Sequence, residues 1–234
     1  MKNKQIGVIF DMDGVIIDSN PLITKAWKAF FNLHQIPLSD EQLNHYVFGR
    51  TAQETVAMVF PKALAADQIN DYANEVSEEV QRLYVSEGKI VPGFIPLTKE
   101  LYERSIPMAI ATSAPPGNVE IVLKLSGAND YIKVITDASQ IRHSKPHPEV
   151  YLTSAERLGL MPVNCCVFED SFSGIQSAKN AGMHVIGIAT THSVIELKRL
   201  ADDAVVDFTG INAEHIAHVL GADLRNVQGF RRIV

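Results

Sequence analysis

Two carboxylates, in Asp11-Met12-Asp13-Gly14, stand two residues apart directly after the apolar run 6–10. Like charges this close repel unless a cation or a proton separates them, so the pair suits nucleophilic or acid–base work beside a metal. An Asp-x-Asp alone also arises readily by chance, and its bland reading is a pair of turn-forming or helix-capping aspartates. A second acidic pair, Glu169-Asp170, follows the apolar run 165–168 and precedes Ser171 and Ser173-Gly174. Three or four carboxylates converging without a counter-charge call for a hard divalent cation, and Mg²⁺ suits an oxygen site that keeps waters and touches a phosphate. The alternative is helix capping by Asp170 and Ser173. Thr112-Ser113 closes the run 108–111, and Lys145-Pro146 lies in a later loop. Hydroxyls and exposed backbone N–H groups hold phosphate oxygens, while a lysine neutralises both a phosphate and a nucleophilic carboxylate. Read singly, Lys145 is a surface lysine and Thr112-Ser113 an ordinary loop ahead of Pro115-Pro116.

For these residues to meet, the runs before them must lie side by side. Five β-rich runs, 6–10, 108–111, 132–136, 165–168 and 185–189, lack alternation and are separated by helical stretches, which predicts buried parallel strands. Helices are expected over 118–125, 149–158 and 173–181, the last two ending before Gly159 and Gly182. The class is α/β, a Rossmann-like doubly wound parallel sheet whose carboxyl edge carries the ligand. Residues 17–88 break the rhythm with helical stretches at 23–33, 42–47, 51–60 and 67–85. Ser39 and Gln42 form a capping-box signature, Pro37 and Pro61 punctuate turns, and 89–93 reads as a return linker. The expected division is an α/β core of 1–16 with 92–234, and an inserted α-helical cap of 17–91. Residues 229–234, with Arg231 and Arg232, read as a surface tail.

Composition removes whole classes. A chain of 234 residues with 46% hydrophobic and 21% charged residues is a folded globular protein rather than a disordered or fibrous one. A net charge of −6 without a basic block disfavours nucleic acid and anionic lipid as partners, which leaves a small molecule. The first apolar run is cut short by Asp11, and no run approaches the roughly 20 residues of a membrane helix, so a cytoplasmic location is expected. Cys165 and Cys166 are adjacent on a strand and point to opposite faces, which predicts buried thiols rather than a disulfide.

The ordered set of DMDGV at 11–15, ATS at 111–113, Lys145 and FEDS at 168–171 resembles the haloacid dehalogenase superfamily of phosphohydrolases. The resemblance covers nearly the whole chain. The runs DMDGVIIDSNPLITKAWKAFF, FGRTAQETV, SKPHPEVY and VFEDSFSGIQSAKNAGM are similar to its β-phosphoglucomutase-like branch and to the glycerol-3-phosphatases and sugar phosphatases within it. That resemblance implies Asp11 as the nucleophile that forms an aspartyl-phosphate, and Asp13 as the acid and base. It implies Mg²⁺ held by Asp11, the Asp13 backbone carbonyl and Asp170, with Glu169 ligating directly or through water, and Thr112 and Lys145 on the phosphoryl group. The helical insertion becomes a mobile cap. Arg50, just before a helix, is its first candidate for a substrate contact, with Asn20 near the hinge and Ser113 beside Thr112 as further ones. The dehalogenases themselves are disfavoured, because they use neither the second Asp nor the metal.

The reading is a Mg²⁺-dependent phosphatase acting on a small phosphorylated metabolite, a sugar or polyol phosphate. The expected state is a monomer, with a weak dimer as the alternative. A β-phosphoglucomutase-type isomerase would share the intermediate, but Pro115-Pro116-Gly117 stand where the mutases carry a basic residue, and the hinge near Asn20 lacks their histidine. Asn118 keeps some mutase character. A phospho-accepting signalling domain is shorter, lacks the insertion and carries its Asp on a later strand. Other features read as scaffold. Trp27, Phe30 and Phe31 are core, His215 and His218 lie on a surface helix face, and Pro146 keeps His143 and His147 off a shared helical face.

Overall fold

The computed structural model describes residues 5–48, 50–60 and 62–224. Within them lies a six-stranded sheet of β1 (Gly7–Phe10), β2 (Met108–Ala111), β3 (Val134–Thr136), β4 (Cys165–Glu169), β5 (His184–Ile188) and β6 (Asp203–Val205). All neighbours are parallel, in the order β3-β2-β1-β4-β5-β6. The four residues of β1 and of β2 are buried throughout, as strands covered on both faces must be. The strand order reverses between β1 and β4, so a crevice opens beyond their carboxyl ends.

After β1 the chain leaves the sheet for α1 (Asn20–Leu33), α2 (Asp40–Val47), α3 (Ala52–Val59) and α4 (Ala66–Glu87). These helices pack through Trp27, Phe30, Phe31, Val56, Val76 and Val80, all buried. Each such side chain contributes about 1.5–3 kcal/mol by leaving water. The Ser39–Gln42 capping box opens α2 as expected, and Thr51 with Glu54 forms a second at α3. The outgoing and returning segments run together: Asp18 N–H donates to the Lys89 carbonyl at 2.8 Å and Val91 N–H to the Ile16 carbonyl at 2.9 Å.

The remaining helices are α5 (Phe94–Glu103), α6 (Pro116–Ser126), α7 (Glu149–Leu158), α8 (Phe172–Asn180), α9 (Val194–Leu197) and α10 (Ala213–Val219). Phe94 and Leu97 of α5, Val119 and Val122 of α6 and Ile216 of α10 join Phe10, Phe168 and Cys166 on one face of the sheet. Val150 and Tyr151 of α7 and Ile175 and Ala178 of α8 join Ile9, Val167 and Cys165 on the other. The adjacent cysteines are therefore in different layers, both free.

Several elements differ from expectation, β6 and α5 among them. The sixth strand, Asp203–Val205, has only the short apolar run 204–206 to announce it and pairs with β5 at the edge of the sheet. Helix α5 follows the return linker directly, with Phe94, Leu97, Thr98 and Leu101 forming its buried stripe. No described helix is long and apolar enough to cross a membrane. The expectations on Pro61 and on residues 229–234 lie outside the described residues.

Candidate functional site

The β1–β4 register aligns Phe10 with Phe168, and Asp11 N–H continues the ladder to the Phe168 carbonyl at 3.0 Å. Asp11 therefore emerges beside Glu169 and Asp170. Lys145 enters from the loop before α7, fully surrounded, with Nζ 2.8 Å from Asp11 Oδ1 and 2.6 Å from Glu169 Oε1. Asp11, Glu169 and Asp170 bring one ligand oxygen each within 4.8 Å of the others, three carboxylates against one ammonium. Thr112 lies at the end of β2, where its Oγ1 accepts from Ala114 N–H at 3.0 Å and keeps its own proton for the cavity. Asp11, Asp13, Asn20, Arg50, Thr112, Ser113, Lys145 and Asp170 all line one cavity beneath the inserted helices.

Glu169 is the exception. It lies behind Lys145 with no exposed surface. Its Oε1 accepts from Lys145 and, at 2.7 Å, from the Tyr151 hydroxyl; its Oε2 accepts from Asp170 N–H, Ser171 N–H and the Ser171 hydroxyl, each at 3.0 Å. These five donors exceed the roughly four lone-pair sites of a carboxylate. A Cβ at Gly174 would sit 1.7 Å from Glu169 Oε1, so the missing side chain at 174 makes room for this anchor. Gly14 plays the same part for Asp170: its φ is +77°, and a Cβ there would sit 2.0 Å from Asp170 Oδ2.

The electrostatics follow from burial. The Asp11 carboxyl is pushed well above its usual range by desolvation, assisted by the charges of Glu169 and Asp170 and opposed by Lys145. Asp170 is pushed up to about 7, mainly by burial and then by Glu169, although Asn20 and Thr191 donate to it. Burial alone would lower the Lys145 ammonium, but Asp11 and Glu169 outweigh it and hold the ammonium above its ordinary value. Asp13 is raised by burial too, while the Tyr84 hydroxyl donates to its Oδ1 and works the other way. An all-oxygen cluster of three carboxylates against one ammonium, with burial disfavouring the charged form at Asp11 and Asp170, fits a hard divalent cation.

Some participants, Tyr84, Gln81 and Tyr151, are not among the expected site residues. Tyr84 reaches Asp13 from the far end of α4, and the Gln81 amide on the same helix donates to Asn118 Oδ1 at 3.0 Å. Tyr151 holds Glu169 and sets its ring 5.1 Å from Lys145 Nζ. Its position six residues after Lys145, on the buried side of the next helix, was the available clue. Asn20 opens α1 three residues earlier than the expected start at 23 and donates to Asp170 Oδ2 at 2.9 Å. Arg50 Nε and Ser113 Oγ are buried without a hydrogen-bond partner, and both residues line the cavity. His215 serves structure, with Nε2 2.9 Å from Asp203 Oδ2.

Residues 8–188 match the haloacid dehalogenase-like hydrolase family. The chain is 31% identical over 208 residues to validoxylamine A 7'-phosphate phosphatase of Streptomyces hygroscopicus subsp. limoneus, covering 89% of this chain and 96% of that protein. It is 31% identical over 213 residues to a phosphorylated carbohydrates phosphatase of Thermotoga maritima, covering 91% and 97%. The crystal structure of a HAD hydrolase, family IA, variant 3, from Entamoeba histolytica superposes with a TM-score of 0.83 at 28% identity, covering 94% of this chain and all of that one.

Proposed function

The chain belongs to the haloacid dehalogenase-like hydrolases and is a phosphoric monoester hydrolase, and on that premise we propose that it hydrolyses a small sugar or polyol phosphate through an aspartyl-phosphate on Asp11. The observation that carries the proposal is Lys145 seated between Asp11 and Glu169 at 2.8 and 2.6 Å, at the edge where Asp170 and Thr112 also emerge. Asp11 and Asp170, with the Asp13 backbone carbonyl, would hold Mg²⁺. Bound there, the ion would neutralise the surplus carboxylate charge and draw electron density from the phosphoryl oxygens. We assign Glu169 to holding Lys145, and to the ion only through water, since its oxygens are already engaged.

An Asp11 oxygen forms a bond to phosphorus as the ester P–O bond breaks, and the departing alkoxide takes a proton from Asp13. The upward displacement of the Asp13 carboxyl is the direction a general acid needs. A water then passes its proton to Asp13 and attacks phosphorus, and the P–O bond to Asp11 breaks to release inorganic phosphate. Lys145 keeps nucleophile and phosphate from repelling each other, and Thr112 and Ser113 supply hydroxyls to the phosphoryl oxygens. Residues 17–91 act as a cap over a core of 1–16 and 92–234, a division supported by the paired strands of chain at 16–18 and 89–91. Arg50 and Asn20 touch the substrate from its side, and Arg50 brings a guanidinium nitrogen that lacks a partner.

The test is a panel of phosphorylated sugars and polyols with Mg²⁺, following phosphate release and isomer formation together. Phosphate release faster than isomer formation is expected, and its loss in Asp11→Asn. With β-glucose 1-phosphate and a trace of the 1,6-bisphosphate, glucose 6-phosphate outpacing inorganic phosphate would overturn the hydrolase reading for a mutase.

A further inference from the structure

Away from the cavity, the described residues gather one more set of metal-ligating side chains: His143, His147 and Glu149, with one ligand atom each inside 4.8 Å of the others. The two histidines share no helical face, as Pro146 dictates, yet the loop before α7 turns so that their rings lie 4.5 Å apart at 33°. Glu149, the first residue of α7, places Oε2 3.0 Å from His143 Nδ1. The same oxygen accepts from the N–H groups of Arg142 at 3.0 Å and His143 at 2.8 Å. Two further bonds tie the loop to α8: the Ser177 hydroxyl donates to the His147 carbonyl at 2.7 Å, and the Asn180 amide to the Pro146 carbonyl at 3.0 Å. Both imidazoles are exposed and Glu149 is half-buried, so an ion arriving from solvent meets them directly.

We propose that His143, His147 and Glu149 form a second metal site, selective for a borderline divalent ion of the Zn²⁺ type. Two imidazoles and a carboxylate make a three-ligand set that leaves a fourth tetrahedral position for water. Nitrogen donors favour Zn²⁺, Ni²⁺ or Cu²⁺ over Mg²⁺, the reverse of the preference at the all-oxygen cluster around Asp11. The amides on Glu149 Oε2 are the outer hydrogen bonds that orient a ligating carboxylate. Because the loop is already tied to α8, the ligands are gathered before the ion arrives and little ordering entropy remains to be lost. Lys145 lies between the two histidines in sequence but points the opposite way, into the cavity, so the two sites occupy opposite sides of one loop.

The site is tested by equilibrium dialysis of the full chain against Zn²⁺ in a large excess of Mg²⁺. One Zn²⁺ per chain should be retained. His143→Ala and His147→Ala should each weaken retention at least about tenfold, since loss of an outer-shell partner alone costs about 10–100-fold. Asp170→Asn, which damages only the oxygen cluster, should retain the ion. Zn²⁺ that is released by Mg²⁺, or held by both histidine variants as tightly as by the unmodified chain, or lost in Asp170→Asn, would overturn the proposal. Co²⁺ added to the unmodified chain gives a reading independent of any variant's folding. Strong visible absorption of a four-coordinate ion is expected, and only the weak bands of an octahedral one would reject the site.

Discussion

At the floor of the cavity Lys145 is already bound by Asp11 and Glu169, Glu169 by Tyr151 and Ser171, and Asp170 by Asn20 and Thr191. The wall supplied by the inserted helices presents Ile23, Trp27, Val47, Val76 and Val80 instead, with Arg50 as its cation and one guanidinium nitrogen unpartnered. The floor is organised before any substrate arrives, which is what stabilising a developing charge demands. The wall is completed only by what binds to it. Damage to the floor should therefore be felt by every substrate equally, and damage to the wall should reorder them.

Asp11→Asn is the most severe test of the floor. The amide is nearly isosteric and cannot form the acyl phosphate, so turnover should fall by at least about 10⁴-fold on sugar, polyol and aryl phosphates alike. Circular dichroism should show the fold retained. A loss confined to some substrates would break the distinction between floor and wall.

Lys145→Ala should follow at about 10²–10³-fold in kcat, the scale of losing one preorganised partner of the transition-state charge. It also strands Asp11 and Glu169 as unpaired buried carboxylates, so chemical denaturation should show a destabilisation of about 3–5 kcal/mol. Unchanged stability would mean that the lysine is a bystander at the floor rather than its keystone.

Metal binding at the floor is probed through pH. The Asp170 carboxyl is raised to about 7 in the metal-free protein, above its value in an unfolded chain. A raised folded value gives stability that is present at low pH and lost as pH rises through about 7, so the metal-free protein should melt lower at about pH 8 than at about pH 6 from this group. Mg²⁺ bound at Asp170 would displace the proton and hold the charged form, so its gain in melting temperature should be larger at about pH 8. An equal gain at both pH values would detach Asp170 from the ion.

The acidic residues and Thr112 of the floor were legible in the sequence because each follows a strand, whereas Lys145, in the loop before α7, stood out only through its place in the ordered set of motifs. Asp11 and Asp13 come after the run 6–10, Thr112 after 108–111, and Glu169-Asp170 after 165–168, and parallel strands bring such ends to one edge. The wall was much less so. Helical periodicity marked Trp27 as core, and it is buried, but it also lines the cavity beside Ile23, which periodicity cannot reveal. Tyr84 meets Asp13 across 71 residues of chain, through the packing of α4 against α1 and α6. The sixth strand pairs along the open edge of β5, and the close, tilted approach of the His143 and His147 rings follows a loop path that a helical rule does not address.

The smallest expected effect, and the one that isolates the wall, is Arg50→Ala. A hydrogen bond from a charged donor is worth about 1.5–3 kcal/mol, and part of that is recovered when water replaces the guanidinium, so KM for the preferred sugar or polyol phosphate should rise about tenfold. A minimal aryl phosphate, whose leaving group offers Arg50 no acceptor, should be spared, and kcat on it should stay unchanged. The ranking of substrates would then shift while Asp11, Lys145 and the phosphoryl contacts remain as they were. If the aryl phosphate suffers as much as the sugars, Arg50 acts through closure of the inserted helices or on the transferring phosphate itself, and selectivity must reside elsewhere on the wall, with Ile23 and Trp27 the next positions to test.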